Sequence, residues 1–213
     1  MRLTEIVPGQ SDRAMIVGQT GSGKTVLAQF LLSYRKYVIV IDPKRRINWP
    51  GYPVVQSVSA LVRHKGDKVV YRPSHVALKG WYNGDDEEIA RAFEYVYMRG
   101  NTTLYVDEAY LVTRGEELPQ FYHACLTQGR ELGVETWSAT QRPMHVPQVI
   151  MSEAEHLYEF YLKMPQDRKK VFAMGGVSEE RIRGLPKHHF YYVPQDDEPI
   201  GPLKLDLTRL QKK

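Results

Sequence analysis

Eight consecutive residues near the start of the chain, Gly18-Gln19-Thr20-Gly21-Ser22-Gly23-Lys24-Thr25, have the types and spacing to cradle an anion. They satisfy G-x-x-x-x-G-K-[ST] without a mismatch. Glycines let the backbone curl until successive N–H groups point inward at phosphate oxygens. A helix opening near Gly23 would add the positive end of its dipole, with Val26 in its first turn beside the loop. Lys24 can reach the β- and γ-phosphates, and the Thr25 hydroxyl can ligate Mg²⁺. The implied chemistry is binding of ATP with Mg²⁺. A flexible glycine loop with a stray lysine is the bland account. It does not explain the apolar strand before the loop or the amphipathic helix after it.

About eighty residues on, Leu104-Tyr105-Val106-Asp107-Glu108 reads as a hydrophobic strand ending in two acids. This is a Walker B arrangement. Asp107 would hold the metal beside the phosphate loop, and Glu108 would polarise an attacking water as general base. Two solvated acids opening a loop is the competing account, weakened by the intact phosphate loop. After a further strand comes Thr140-Gln141-Arg142, where Gln141 is placed to sense γ-phosphate and water. Between the two lies Gln128-Gly129-Arg130-Glu131, expected at the end of a helix. Arg130 either caps that helix through its C-terminal dipole or projects into a neighbouring subunit as an arginine finger, with Arg142 and Arg114 as substitutes.

Positioning these groups requires strands that alternate with helices. Arg13–Val17, Tyr37–Ile41, Val69–Tyr71, Thr103–Val106, Val134–Ala139 and His156–Leu162 read as strands, several of them apolar throughout, as strands buried on both faces are. Gly23–Tyr34 reads as a helix with Leu27, Phe30, Leu31 and Tyr34 on one face. Asp85–Arg99 reads as another, with acidic residues at its start, a stripe of Ile89, Phe93, Val96 and Tyr97, and Gly100 at its end. Pro119–Leu132 reads as a third, with proline in its first turn and Gly133 just beyond. The region after Pro165 is basic and short-helical, ending in His189–Val193 and a proline-broken tail. This alternation predicts an α/β fold, a mostly parallel sheet with helices on both faces.

The 213 residues suit one domain, 1–213, with 165–213 as a basic C-terminal extension of it. Hydrophobic residues at 42% and charged residues at 25% are enough to build a buried core. No apolar run approaches the roughly 20 residues of a membrane span, and Met1–Ile6 lacks the apolar stretch of a signal peptide, so a cytoplasmic protein is expected. The single cysteine, Cys125, excludes an internal disulfide and a cysteine-based metal cluster, and reads as a core residue on a helix. A net charge of +4 and a pI near 9.0 permit a nucleic-acid partner without requiring one.

The order of these motifs resembles the FtsK/HerA superfamily of ring-forming P-loop ATPases. That order is the phosphate loop, then strand-Asp-Pro-Lys (Asp42, Pro43, Lys44), strand-Asp-Glu, Gly-Arg-x-x-Gly (Gly129, Arg130, Gly133) and strand-Ala-Thr-Gln-Arg-Pro (Ala139 to Pro143). The small size and the stretch from Gln141 to Ala154 are most similar to the viral genome-packaging ATPases within it. The resemblance covers roughly Arg13 to Leu162. It implies a RecA-like (ASCE) P-loop NTPase core and a homo-oligomeric ring, pentamer or hexamer, that moves double-stranded DNA by ATP hydrolysis. It further implies a trans-acting arginine at Arg130, a glutamate base at Glu108, and a capsid portal or vertex protein as a further partner. Such a protein works in the host cytoplasm or associated with the virion. The nuclease domain of large terminases has no counterpart, since no such carboxylate cluster follows.

Basic groups at Lys44-Arg45-Arg46, Arg63-His64-Lys65, Arg168-Lys169-Lys170, Arg181/Arg183 and Lys187-His188-His189 are the candidates for DNA phosphates, each competing with a solvated face. His188-His189 lacks the spacing of a metal site. Trp49, Tyr52 and Trp81 read as core or loop packing, with subunit contact as the alternative. Among other functions, a secretion ATPase resembling the zonula-occludens-toxin-like proteins shares the nucleotide core but usually carries a membrane segment. A GTPase lacks its guanine-reading motif here. A non-hydrolysing nucleotide module would not need Lys24, Thr25, Asp107 and Glu108 together.

Overall fold

The computed structural model describes residues 3–83 and 87–205. The first half of the sheet and its helices are β1 (Ala14–Val17), α1 (Lys24–Leu32), β2 (Val38–Ile41), β3 (Val54–Val55), α2 (Val58–Arg63), β4 (Lys68–Tyr71), α3 (His75–Asn83) and α4 (Glu88–Arg99). Then follow β5 (Thr102–Val106), α5 (Gln120–Thr127), β6 (Val134–Thr140), α6 (Gln148–Ser152), β7 (His156–Phe160), α7 (Pro165–Ala173), α8 (Glu179–Arg183), β8 (His189–Pro194) and β9 (Ile200–Lys204). Among the described residues these strands form one sheet in the order β3-β4-β2-β5-β6-β1-β7-β8-β9. From β3 to β7 all pairs are parallel; β8 and β9 are added antiparallel. The mostly parallel α/β architecture is thus as the sequence predicts, and it is that of a RecA-like P-loop NTPase core.

Alternation within each strand sends side chains to two cores. Met15 and Val17 of β1 face the side covered by α4, α5, α7 and α8, where Phe93 and Tyr122 stack with centroids 4.5 Å apart. Ala14 and Ile16 face the side covered by α1, with Leu27, Leu31, Trp137, Tyr158 and Phe190. Every residue of β1, β2, β5 and β6 is buried, which is why β1 and β2 read as unbroken apolar runs, whereas β5 and β6 also bury threonines, Ser138 and Glu135. Trp49 packs edge-on against Tyr105 in the second core. Cys125 lies buried in the first, its thiol pushed up to about 12 by burial.

Three expectations are corrected. The helix expected over Pro119–Leu132 ends at Thr127, and Gly129–Leu132 is a 3-10 turn. The chain tightens there because Gly129 lies against Val134, where an added Cβ would stand 3.1 Å from that side chain. The proline-broken tail contains a strand, β9, held by β8. The helix expected from Asp85 begins at Glu88 in the described residues; Asp85 and Asp86 lie outside them, as do the last eight residues of the tail. The short elements β3, α2, α3 and α6 are not anticipated by periodicity. α2 is set by Ser57, whose hydroxyl accepts from the Ala60 N–H at 3.2 Å.

One charged group in the core belongs to none of the predicted motifs. Glu159 on β7 is fully buried and accepts the Val177 N–H at 2.8 Å, close beside Gly176, where a Cβ would collide with the same carboxylate oxygen. Burial pushes its carboxyl up to about 8, against the opposing pull of that hydrogen bond. The folded state therefore holds this proton more tightly than the unfolded chain, and stability is lost as pH rises through about 8. Glu159→Gln should remove that loss. Compared by thermal unfolding, the variant should gain on the wild type by a few kcal/mol between pH 5 and pH 8.5. An unchanged gap would show that the carboxyl ionises freely.

Candidate active site

The parallel register brings three predicted segments to one edge. Val17 of β1 lies opposite Thr140 of β6, and Val106 of β5 opposite Ser138. The phosphate loop, Asp107-Glu108 and Gln141 therefore leave adjacent strands at their carboxyl ends, with β6 in the middle. Loops at such an edge form the natural crevice of an open α/β sheet.

The loop itself is tied to its neighbours by Gly18 N–H to Thr140 O (3.2 Å) and Gln19 N–H to Tyr161 O (2.9 Å). Gly21 (φ 75°) and Gly23 (φ 116°) take backbone conformations that a side chain would strain. α1 starts at Lys24 with no side chain capping its first amides. Lys24 curls back so that its ammonium donates to Gly18 O (2.7 Å) and Gln19 O (3.3 Å). Burial lowers its pKa, opposed by the charges of Glu108 and Asp107. The Ser22 hydroxyl is buried without a hydrogen-bond partner. Uncapped amides, an orphaned hydroxyl and a buried ammonium fit a phosphate chain. A cavity of about 670 Å³ opens beside them, lined by Gly21, Lys24, Thr25, Phe160, His188 and Lys204 among others. That is room for a nucleoside.

Asp107 is buried and accepts from Tyr105 Oη at 3.0 Å. Its carboxyl is pushed up to about 7, first by burial and then by the neighbouring Glu108 charge, with Tyr105 and Lys24 pulling the other way. A buried acid so incompletely compensated suits the binding of a hard divalent cation. Glu108 has a left-handed backbone (φ 51°, ψ 61°), a conformation rarely held by a residue of this type without surrounding constraint. Its Oε1 is 2.8 Å from Lys44 Nζ and 3.8 Å from Lys24 Nζ, and its Oε2 accepts the Gln141 N–H at 3.0 Å. Gln141 also accepts from the Thr20 hydroxyl and lies 3.4 Å from Tyr110 Oη, so it bridges the phosphate loop and the acidic turn.

Other predicted residues fall elsewhere. Arg130 sits before β6, at the opposite edge of the sheet, paired with Glu155 and lying 3.8 Å from Asp12. Glu155 is in turn held low: burial works to raise it, but hydrogen bonds from Arg13 and Arg130 prevail. Arg114 lies over the Trp81 ring and pairs with Glu117. Arg142 pairs with the buried Asp167 of α7 at 3.3 Å. In the Arg168-Lys169-Lys170 group, Arg168 is buried on the Leu162 and Lys163 carbonyls and Lys170 donates to Val146 O. Only Lys169 of the three is exposed. Lys44, read in the sequence as the end of the Asp-Pro-Lys motif and as part of a basic group, and His188, read only in a basic group, both turn to the site. His188 Nδ1 is 3.3 Å from Ser22 O.

No protein-family model matches the chain. It is 26% identical over 199 residues to the DNA packaging ATPase P9 of Enterobacteria phage PRD1, covering 86% of this chain and 79% of that protein. Among solved structures it is similar to the genome packaging NTPase B204 of Sulfolobus turreted icosahedral virus 2. The sulfate complex gives a TM-score of 0.70 at 19% identity over 92% of this chain and 98% of that one. The AMPPCP complex gives 0.69 at 20% identity over 91% and 98%. The chain is similar in sequence and fold to the FtsK/HerA-like viral genome-packaging ATPases. VirB4 of Thermoanaerobacter pseudethanolicus shares the fold more distantly, at 11% identity and a TM-score of 0.68 over 91% of this chain and 89% of that one.

The turn after Gln141 is fastened to α7 by one carboxylate, since Asp167 also accepts the Met144 N–H at 2.8 Å. Asp167→Ala should lower unfolding free energy by about 1–3 kcal/mol in urea titrations and speed exchange of the Met144 amide proton. Unchanged exchange would show that the turn is held by something else.

Proposed function

We propose that this chain is an ATPase that moves double-stranded DNA as a subunit of a viral genome-packaging ring. The observation that carries the reading is the meeting of Lys24, Glu108 and Gln141 at one sheet edge, with Glu108 hydrogen-bonded to the Gln141 amide and 3.8 Å from Lys24. The named relatives, one a DNA packaging ATPase and one a genome packaging NTPase studied with ATP analogues, support it.

In this mechanism residues Gly18 to Val26 bind the triphosphate, through loop amides and the Lys24 ammonium. Thr25 and Asp107 would hold Mg²⁺, which when bound would supply positive charge against the phosphates. Glu108 orients the attacking water and accepts its proton as the oxygen bonds to the γ-phosphorus and the bond to the bridging oxygen breaks. Gln141 registers the γ-phosphate and passes its loss to the turn fastened on α7. Arg130, at the far edge from its own phosphate loop, would serve a neighbouring subunit, exchanging Glu155 for that subunit's nucleotide; Arg142 and Arg114 remain the substitutes. The same reading takes residues 1–213 as one ATPase domain with 165–213 as its extension, supported by β8 and β9 continuing the sheet. A pentameric or hexameric ring and a portal or vertex protein complete the assembly. The host cytoplasm, and the virion on assembly, are where it would work. No helix among the described residues is long and apolar enough to cross a membrane.

For DNA, exposed basic side chains at Arg46, Arg63, Lys65, Lys169, Arg181, Arg183 and Lys187 are the candidates, reading phosphates and not sequence. ATP turnover should rise with double-stranded DNA, and the stimulation should fade steeply between 50 and roughly 200 mM salt, as counterion release requires. A rate indifferent to DNA would leave the ATPase and remove the DNA-driven step. Glu108→Gln should retain ATP binding while turnover falls by about 10²–10⁴-fold. Wild-type turnover in that variant would remove Glu108 as the base.

A further inference from the structure

The Asp-Pro-Lys segment after β2 is a motif that this mechanism leaves unused. Its geometry is built. Asp42 is fully buried, and its carboxylate takes Arg72 Nε at 2.9 Å and the Arg45 N–H at 3.0 Å. The Arg45 N–H also reaches Asp42 O at 3.2 Å, closing a turn with Pro43 and Lys44 at its centre. Arg45 leaves it with a left-handed backbone (φ 58°). Arg72, having fixed Asp42, reaches on to Ile47 O and holds the far side of the same loop. The turn directs Lys44 inward, away from the two arginines that follow it. Its ammonium stands 2.8 Å from Glu108 Oε1, the same oxygen that Lys24 Nζ approaches to 3.8 Å.

Two ammonium groups thus converge on one carboxylate oxygen at the mouth of the phosphate loop. One lysine suffices to balance Glu108. Lys24 is already committed to the carbonyls of Gly18 and Gln19, whereas Lys44 has Glu108 as its one partner among the described residues and keeps about a quarter of its side chain exposed (28%). An ammonium on a flexible four-carbon stem can pivot from a carboxylate to a phosphate oxygen without backbone change.

We propose that Lys44 is a second cation of the γ-phosphate subsite, positioned by the Asp42 turn. It exchanges Glu108 for a γ-phosphate oxygen when ATP binds. That exchange releases Glu108 Oε1 for the attacking water, so the presence of the third phosphate, and not of nucleotide in general, unmasks the base. ADP offers no such oxygen and leaves the pair in place. The proposal rests on the ATPase reading above, and it removes Lys44 from the DNA-contacting candidates.

The test is equilibrium binding, with no turnover involved. Affinities of the full chain for AMPPNP and for ADP, each with Mg²⁺, are compared in wild type, Lys44→Met and Lys44→Arg. Lys44→Met should lose about tenfold to a hundredfold in AMPPNP affinity, the size of one charge-assisted contact, with ADP affinity unchanged. Lys44→Arg, which keeps the charge, should recover part of the AMPPNP affinity. Equal effects on both nucleotides, or no effect on either, would overturn the assignment, and thermal unfolding of each variant checks that the turn still folds. Lys24→Ala serves as the reference. If that variant binds both nucleotides as tightly as wild type, the phosphate-loop reading has failed, independently of Lys44.

Discussion

A buried carboxylate must find partners or give up its charge, and Glu108 finds them on three other strand ends. Lys44 comes from the turn after β2, Lys24 from the loop after β1, and the Gln141 amide from the end of β6. Each contact constrains a different loop, and the left-handed backbone of Glu108 allows one side chain to face all three. The strand order makes this possible, because β6 lies between β1 and β5, with β2 on the other flank of β5. Shifting any of these strands by a residue would strand a charge in the core. The sheet register and the site chemistry are thus the same constraint seen at two scales.

What could be read in the sequence was what local spacing encodes. Gly18 to Thr25 demand a loop between a strand and a helix, and Leu104 to Glu108 demand a buried strand that ends in acids. Both are found as expected, because a run of residues buried on both faces looks apolar wherever it occurs. Boundaries set by tertiary contact were not legible. The helix over Pro119 stops at Thr127 because Gly129 must approach Val134, a contact made across a turn. β9 exists because β8 offers it an edge, and nothing in Ile200–Lys204 announces a strand against its glycine and proline. The roles of basic residues were the hardest to read. Arg168 and Lys170 look like a solvated cluster but spend their donors on backbone carbonyls, and Lys44 faces inward because of a turn that Asp42 and Arg72 hold.

The two edges of the sheet are chemically unlike. At the carboxyl ends lie the phosphate loop and paired acids. At the amino ends lies a network in which Arg13 bonds Glu153, Glu155 and the Leu126 carbonyl, Arg130 joins Glu155, and His156 lies between Asp12 and Tyr192. The pair made by the half-exposed Arg130 contributes little to stability by itself. Together these contacts fix the loops before β1, β6 and β7 to one another, so the strands that carry the site share an anchor at the end away from it.

The outer strand β9 carries a consequence for how copies of the chain can meet. A strand at the margin of a sheet is an invitation to further strand pairing, and long regular ones lead to uncontrolled polymer growth. Here the margin holds Gly201 and Pro202, which cannot supply a regular ladder, and its register against β8 slips between Phe190 and Tyr192. The opposite margin, β3, is two residues long. Neither rim is a template on which the sheet can be prolonged from one molecule into the next. Copies that associate must therefore do so through side chains on helices and loops, contacts that can loosen and re-form without unravelling a shared backbone.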